Sequence, residues 1–317
     1  MTPFNLNIDP ENNFYMNVDN NCSYYTEDQF NRSIKVDKSL SIIHFNSRSL
    51  YANFTAIQQY LRKFTNPFSI IAISETWLTE ERGVNFEIAG YELNYINRKN
   101  KRGGGVAIYV DSRLRYKIIE NMTTAIDDVC ECISIEILMG MMMKNVIVSC
   151  VYRAPENNIE CFNRAMEELL VKTDQKVCYI VGDFNLNLLN VESNKQIEEF
   201  VNQMYSMSYY PMISKATRIT GHSATLIDNI FTNNMVNNTV SGILITDITD
   251  HLPVFAIYGC NLSVEKNLNQ KAYRRQLSEI TIQNFQSELL SQEWNEVYSQ
   301  VNVDTAYAKF INIFTTL

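Results

Sequence analysis

The polar residues best placed for chemistry in this chain stand where apolar runs end. Asn46 follows Ile42-Ile43-His44-Phe45, and Glu75 follows Ile70-Ile71-Ala72-Ile73-Ser74. Tyr152 closes the run 146–151, Asp183 and Asn185 follow Tyr179-Ile180-Val181, and Asp250 and His251 come a short turn after Ile243-Leu244-Ile245-Thr246. A strand that ends puts its next side chains on the rim of a sheet, within a substrate's reach. Asp228 is different: it interrupts Leu226-Ile227-Asp228-Asn229-Ile230-Phe231, where a carboxylate is costly unless paired. Each feature alone has a plain reading. A Glu after a strand sits beside a helix N-cap or in a solvated turn, and Gly182-Asp183-Phe184-Asn185 is rich in turn formers. Together they form a toolkit. Glu75, Asn46 and Asp250 offer the oxygen ligands that hard cations take. Hydrolysis of a phosphodiester needs an activated water, a stabilised phosphorane-like charge and a relieved leaving oxygen. His251 paired with Asp228 would supply an oriented imidazolium.

Positioning these residues takes many strands. Runs at 41–45, 69–73, 106–110, 176–181, 226–231, 242–246 and 254–258 read as strands, several continuous enough to be buried. Residues 131–138 and 145–152 read as a hairpin across 139–143, a methionine-rich turn to which no function attaches. Ala56, Ile57, Tyr60, Leu61 and Phe64 recur at helical spacing, as do the apolar residues of 162–170 and 197–204. Strands with intervening helices, and hairpins among them, predict an α/β sandwich of mixed sheets; a purely parallel sheet would need a crossover in nearly every connection. Residues 1–38 are Asn-rich and acidic without periodicity and are expected to be a disordered tail, so the globular domain is expected over 39–260. Beyond a boundary near 260–271, Ile282, Phe285, Leu289 and Leu290 form one amphipathic stripe and Val303, Tyr307, Phe310, Ile311 and Phe314 another.

The 317 residues are 46% hydrophobic and 20% charged, enough for a sizeable core and too few charges for global disorder. No run approaches the roughly 18 apolar residues of a membrane span, and the start of the chain lacks the basic and apolar regions of a secretory signal. The expectation is an intracellular protein with no membrane partner. The 7 cysteines, an odd number without a C-x-x-C pair, read as small buried hydrophobes, Cys130, Cys132, Cys150 and Cys178 among them. A net charge of -8 argues on its face against a nucleic-acid partner. Against that, a metal-dependent site itself concentrates carboxylates, and Arg98, Lys99, Lys101, Arg102, Arg113, Arg115 and Lys117 cluster with only Asp111 opposing them. That cluster reads equally as a solvated face.

The motifs, taken in order, resemble the endonuclease/exonuclease/phosphatase superfamily, which includes apurinic endonucleases and the endonuclease domains of LINE-type elements. They are Ile43-His44-Phe45-Asn46-Ser47-Arg48-Ser49-Leu50, Ile73-Ser74-Glu75-Thr76-Trp77-Leu78, Gly103-Gly104-Gly105-Val106-Ala107-Ile108-Tyr109, Val151-Tyr152-Arg153-Ala154-Pro155, Gly182-Asp183-Phe184-Asn185, Leu226-Ile227-Asp228-Asn229-Ile230-Phe231 and Thr249-Asp250-His251. The second and third look like those of jockey- or CR1-like non-LTR retrotransposons, and 273–317 is similar to the linker that precedes the reverse transcriptase there. No polymerase motif occurs.

The resemblance implies two packed mixed β-sheets flanked by helices, a four-layer α/β/β/α sandwich like that of DNase I. It implies a Mg²⁺-dependent endonuclease, with Mn²⁺ as a substitute, that hydrolyses a DNA phosphodiester and leaves a 3′-hydroxyl nick to prime reverse transcription. Residues 261–317 would then be a helical linker truncated before the reverse transcriptase, and the nucleus the site of action. Glu75 would be the main metal ligand with Asn46 beside it, and Asp250 would support the metal or the water network. Asp183 would position or deprotonate the attacking water, Asn185 hold the scissile phosphate and Tyr152 donate to it or to the leaving oxygen. Asp228 would orient His251, which stabilises the transition state. Thr217, Arg218, Thr220 and Thr249 would lie against DNA. Apurinic endonucleases carry an acidic residue where this chain has Arg48, so an acidic metal ligand is missing. A truncated relic or DNA-binding module, and a phosphatase or phosphodiesterase of the same superfamily, are the alternatives. His44 and His222 match no catalytic position; the first is expected to pack in its strand, the second to lie in a loop.

Overall fold

Adjacent residues of the buried strands belong to different cores, as the two-residue period of an extended chain requires. Ile42, Ile70, Ala72 and Ile108 pack into one cluster, while their neighbours Ile43, Ile71, Ile73 and Tyr109 pack into the other. A strand apolar on both faces must be covered on both, and this one fact dictates a layered molecule. The computed structural model describes residues 22–79, 86–98, 103–139, 144–155, 159–173, 176–234, 239–260 and 279–316.

The chain opens with β1 (Ser23–Tyr25) and α1 (Glu27–Ser33), then β2 (Leu40–Asn46), α2 (Leu50–Leu61), β3 (Ile70–Ser74), β4 (Tyr91–Ile96) and β5 (Val106–Asp111). It continues with β6 (Tyr116–Ile118), β7 (Thr124–Ile126), β8 (Cys130–Ile137), β9 (Val146–Arg153), α3 (Ile159–Val171), β10 (Val177–Asp183) and α4 (Lys195–Ser206). Next come β11 (Tyr210–Pro211), the ribbon β12 (Arg218–Ile219) and β13 (Ala224–Thr225), then β14 (Asp228–Thr232), β15 (Thr239–Leu244) and β16 (Val254–Tyr258). One sheet runs β1-β15-β16-β2-β3-β5-β4 and the other β11-β14-β10-β9-β8-β6, with β7 beside β8. Both mix parallel and antiparallel neighbours: β2 and β3 are parallel, as are β9 and β10, while β8 and β9 form the expected antiparallel hairpin.

The larger core joins the inner faces of the two sheets and carries on to α3 and α4, where Phe162 and Phe200 meet Phe184 and Phe231 of the second sheet. The smaller core lies between the first sheet and α1 with α2, where Phe30, Ile57 and Tyr60 cover Ile43, Phe45 and Ile73. The result is the expected four-layer α/β/β/α sandwich. Cys130, Cys132, Cys150 and Cys178 are buried and free, as their apolar surroundings predict.

The tail expected over 1–38 does not extend that far. Ser23, Tyr24 and Tyr25 pair in parallel with Gly242, Ile243 and Leu244, and Phe30 is inserted edge-on against Phe64 and Phe255. A capping box starts α1: Gln29 N donates to Thr26 Oγ1 at 3.2 Å and Thr26 N to Gln29 Oε1 at 2.9 Å. One buried Phe in a polar stretch carries no periodicity, so the segment reads as solvated until its distant partners are known. Residues 1–21 lie outside the described residues, as do 140–143 of the methionine run.

The chain divides into two compact units, Met1–Lys266 and Asn267–Leu317. In the second unit, α5 (Glu279–Ser291), α6 (Asn295–Tyr298) and α7 (Val303–Thr316) are helical as their stripes predict, and Phe285 packs edge-on to Phe314. Among the described residues, no helix is long and apolar enough to cross a membrane.

Candidate active site

Strand register decides which rim residues meet. Asn46 is paired with Ser74, so Glu75 falls beside it at the ends of the parallel pair β2 and β3. In the other sheet Asp183 is paired with Tyr152 on one side and with Asp228 on the other. Gly182 permits this: a Cβ there would run into the Val151 carbonyl oxygen. The two sheets thus bring their polar rims together at one end of the sandwich.

Asn46 links them. Its Nδ2 donates to Glu75 Oε1 at 3.0 Å and to Asp183 Oδ2 at 2.8 Å, while its Oδ1 accepts from the Arg48 N–H at 3.0 Å. Asp183 is fully buried and also accepts from Asn185 N at 2.9 Å. Burial, reinforced by the neighbouring Asp228 carboxylate, pushes its pKa up to about 8. His251 Nδ1 lies 2.9 Å from Asp228 Oδ2. Burial works against its charge, but Asp228 prevails and the imidazole pKa rises to about 9. At neutral pH this pair is therefore an imidazolium on a carboxylate.

Thr217 locks the carboxylate. Its Oγ1 donates to Asp228 Oδ2 at 2.9 Å and accepts from Asp228 N at 3.0 Å, and the residue has no exposed surface. Thr217 was expected against DNA; full burial excludes that, because its hydroxyl is consumed in holding Asp228. Thr249 likewise turns its hydroxyl inward, donating to Asn46 O at 3.2 Å and accepting from His251 N at 3.1 Å. Thr220 is exposed at the tip of the β12–β13 ribbon, and Arg218 stands half-exposed at its base.

Asp250 was expected near a metal. Its oxygens are instead taken by two guanidinium groups: Arg48 Nη1 lies 2.7 Å from Oδ1 and Arg218 Nε 2.8 Å from Oδ2. Partial burial pushes this carboxyl up, but the two arginines overcome it and hold its pKa at about 2. With a guanidinium on each oxygen, Asp250 is placed as the partner of two arginines rather than as a metal ligand.

The remaining donors fit a divalent cation at the Glu75–Asp183 edge. Two carboxylates share a single amide group there, and Asp183 is fully buried beside a second carboxylate, Asp228. Asp183, Asp228 and His251 also bring ligand-type atoms within 4.8 Å of one another. That trio suits an ion less well, because the Asp228 bond occupies Nδ1 and keeps the ring protonated. Hard oxygen donors favour Mg²⁺ or Mn²⁺ over softer ions.

The structure also shows positioning residues that no motif reading singled out. Arg98, partly buried, pairs with the buried Glu131, with Nε 2.6 Å from Oε1, and lies 5.7 Å from the Tyr152 ring centre. Gly104, beside that guanidinium, takes φ of 67°, the left-handed backbone that favours glycine. Of the basic cluster read from the sequence, Arg98, Arg113 and Lys117 are thus committed to Glu131, Asp111 and Glu136, while 99–102 lie outside the described residues. Burial holds the Tyr152 hydroxyl well above its ordinary pKa, so it remains a donor. Asn185 Nδ2 donates to Arg153 O at 2.7 Å, leaving its second N–H for another acceptor. His44 is fully buried; its Nε2 meets Ser74 Oγ at 3.0 Å and its Nδ1 lies 3.9 Å from Asp228 Oδ1. His222 lies exposed in the ribbon loop. Arg48, Ser49, Glu75, Trp77 and Asn185 all take left-handed backbone with φ of 43, 90, 51, 54 and 47°. Such non-glycine strain gathers where a site over-determines the chain.

Residues 146–255 match the family model described as endonuclease-reverse transcriptase. No curated protein matches the chain. Among solved structures, the endonuclease domain of TRAS1, a telomere-specific non-LTR retrotransposon, superposes with a TM-score of 0.56 at 15% identity, covering 69% of this chain and 98% of that one. The AP endonuclease LMAP from Leishmania major gives 0.60 at 12%, covering 72% and 90%. The Xenopus laevis APE2 catalytic domain gives 0.56 at 16%, covering 71% and 94%.

Proposed function

From a chain with the fold of the endonuclease/exonuclease/phosphatase superfamily, we propose a divalent-metal-dependent DNA endonuclease that leaves a 3′-hydroxyl nick, the nicking module of a non-LTR retrotransposon acting on nuclear DNA. The observation that carries it is the continuous polar rim Glu75–Asn46–Asp183 set against the Asp228–His251 pair at one end of the sandwich. The match to an endonuclease-reverse transcriptase model and the likeness to the TRAS1 domain support the DNA substrate and the priming role.

Glu75 and Asp183, with Asn46 between them, would hold the cation, which supplies Lewis acidity to a phosphoryl oxygen when bound. Asp183, ionised against the cation, takes a proton from the attacking water. The water oxygen bonds to phosphorus as the bond to the 3′ oxygen breaks, leaving a 5′-phosphate and a 3′-hydroxyl. The free Asn185 N–H and the Tyr152 hydroxyl donate to the phosphate and to the departing oxygen. The His251 imidazolium, fixed by Asp228 and through it by Thr217, faces the charge that builds on the phosphoryl oxygens. Relaxation of a supercoiled plasmid tests this reading. Wild-type protein should give open circles with Mg²⁺ and none with EDTA, and Glu75→Ala should give none in either. Nicking in EDTA, or by Glu75→Ala, would overturn it.

A further inference from the structure

Beyond this centre, the rim of the site carries a charged group that the reaction so far leaves unused. Arg48 and Arg218 come from segments 170 residues apart (218 − 48) and converge on one carboxylate, Asp250. Two positive charges and one negative leave a net +1 on the rim of a centre that holds Glu75, Asp183 and Asp228. Each guanidinium spends a single N–H on Asp250, out of five donors. The Arg48 side chain is 49% exposed and that of Arg218 39%, so the remaining N–H groups face solvent at the mouth.

The backbone fixes this arrangement. Arg48 and the following Ser49 both take positive φ, and the Ser49 N–H donates to Glu75 O at 2.9 Å, so Arg48 leaves the chain beside the carboxylate edge. Arg218 bridges to His251, Ile219 N donates to Asp250 O at 3.2 Å, and Leu252 N to Thr217 O at 2.6 Å. The base of the ribbon is therefore stitched to the same segment that carries His251. Arg48 is also close enough to Glu75 to feel its charge.

We propose that Arg48 and Arg218, tethered by Asp250, form a two-guanidinium clamp for a DNA backbone phosphate beside the one being cleaved, and that Asp250 serves as the tether of this clamp. A planar guanidinium held by a carboxylate keeps its outer N–H edge aimed, which suits a phosphate oxygen pair. The clamp also explains how an acidic chain of net charge -8 would dock a polyanion: the positive charge is concentrated where the phosphates pass. This inference rests on the DNA reading above.

The test measures binding of a fluorescent 20-mer duplex in EDTA, where no cleavage occurs, across a salt series, alongside Mn²⁺ binding followed by electron paramagnetic resonance. Arg48→Ala should weaken duplex binding by roughly tenfold at low salt, the scale of one charge-assisted contact, and lower the log–log salt slope by about 1. Arg48→Lys should keep the slope. Asp250→Asn should bind Mn²⁺ as wild type does. Wild-type affinity and slope in Arg48→Ala, or loss of Mn²⁺ binding in Asp250→Asn, would overturn the clamp while leaving plasmid nicking by the wild type, and so the endonuclease, standing. A wild type that neither binds duplex nor nicks would overturn both.

Discussion

Asp228 and Asp250 stand on either side of His251, and each is ion-paired, yet they lie in different physical regimes. Asp228 has no exposed surface and faces His251, His44 and Thr217; the Asp250 side chain is 23% exposed and faces two half-exposed arginines. In the first region desolvation makes every unmade bond expensive, so the pair fixes geometry. In the second, water and salt screen the charges, so the pair is cheap to rearrange and open to an exchange of partners. The difference teaches how one site can divide labour: a rigid interior that fixes geometry and an adaptable rim whose charges can exchange partners.

Breaking the interior should have the largest effect. Asp228→Ala leaves His251 buried without its partner, which costs about 3–5 kcal/mol of stability and lowers nicking on the order of 10³–10⁴-fold. Urea unfolding and single-turnover nicking check both, and a near-wild-type rate would remove Asp228–His251 from the mechanism. The pH dependence of stability sharpens the contrast further. His251 has a folded pKa raised from 6.5 to about 9, so its contribution is fully present below pH 6.5 and is lost as pH rises through about 9. Asp183, raised from 3.8 to about 8, has the same sign, because the folded state again binds the extra proton. Thermal melts in EDTA should therefore fall between pH 6.5 and 9, and His251→Gln should flatten the upper part of that decline. A melting temperature that rises across the window would contradict the assigned ion pair. The smallest effect belongs to the rim: Asp250→Asn should change stability by less than about 1 kcal/mol, read from the same melts. A cost as large as that of Asp228→Ala would erase the distinction.

Much of the site was legible because rim residues follow buried runs. Asn46, Glu75, Tyr152, Asp183 and Asp228 lie on or just beyond strands that continuous apolar residues announce, and the structure brings them to one end of the sandwich. Partnerships were less legible. Thr217, Arg98 and Arg48 carry no local sign of their roles, because Asp228, Glu131 and Asp250 lie 11, 33 and 202 residues away. The same holds for β1, whose partner strand lies more than 200 residues on.

By itself, then, the sequence determined the buried strands, the main helices and the order of the polar motifs, since periodicity and strand ends are local consequences of side-chain alternation and burial. Only the tertiary structure decided which charges neutralise which: that Thr217 faces inward, that the basic residues Arg98, Arg113 and Lys117 are already paired, and that Asp250 holds arginines. Ion pairing depends on distance and local dielectric, and neither exists until the sheets have packed.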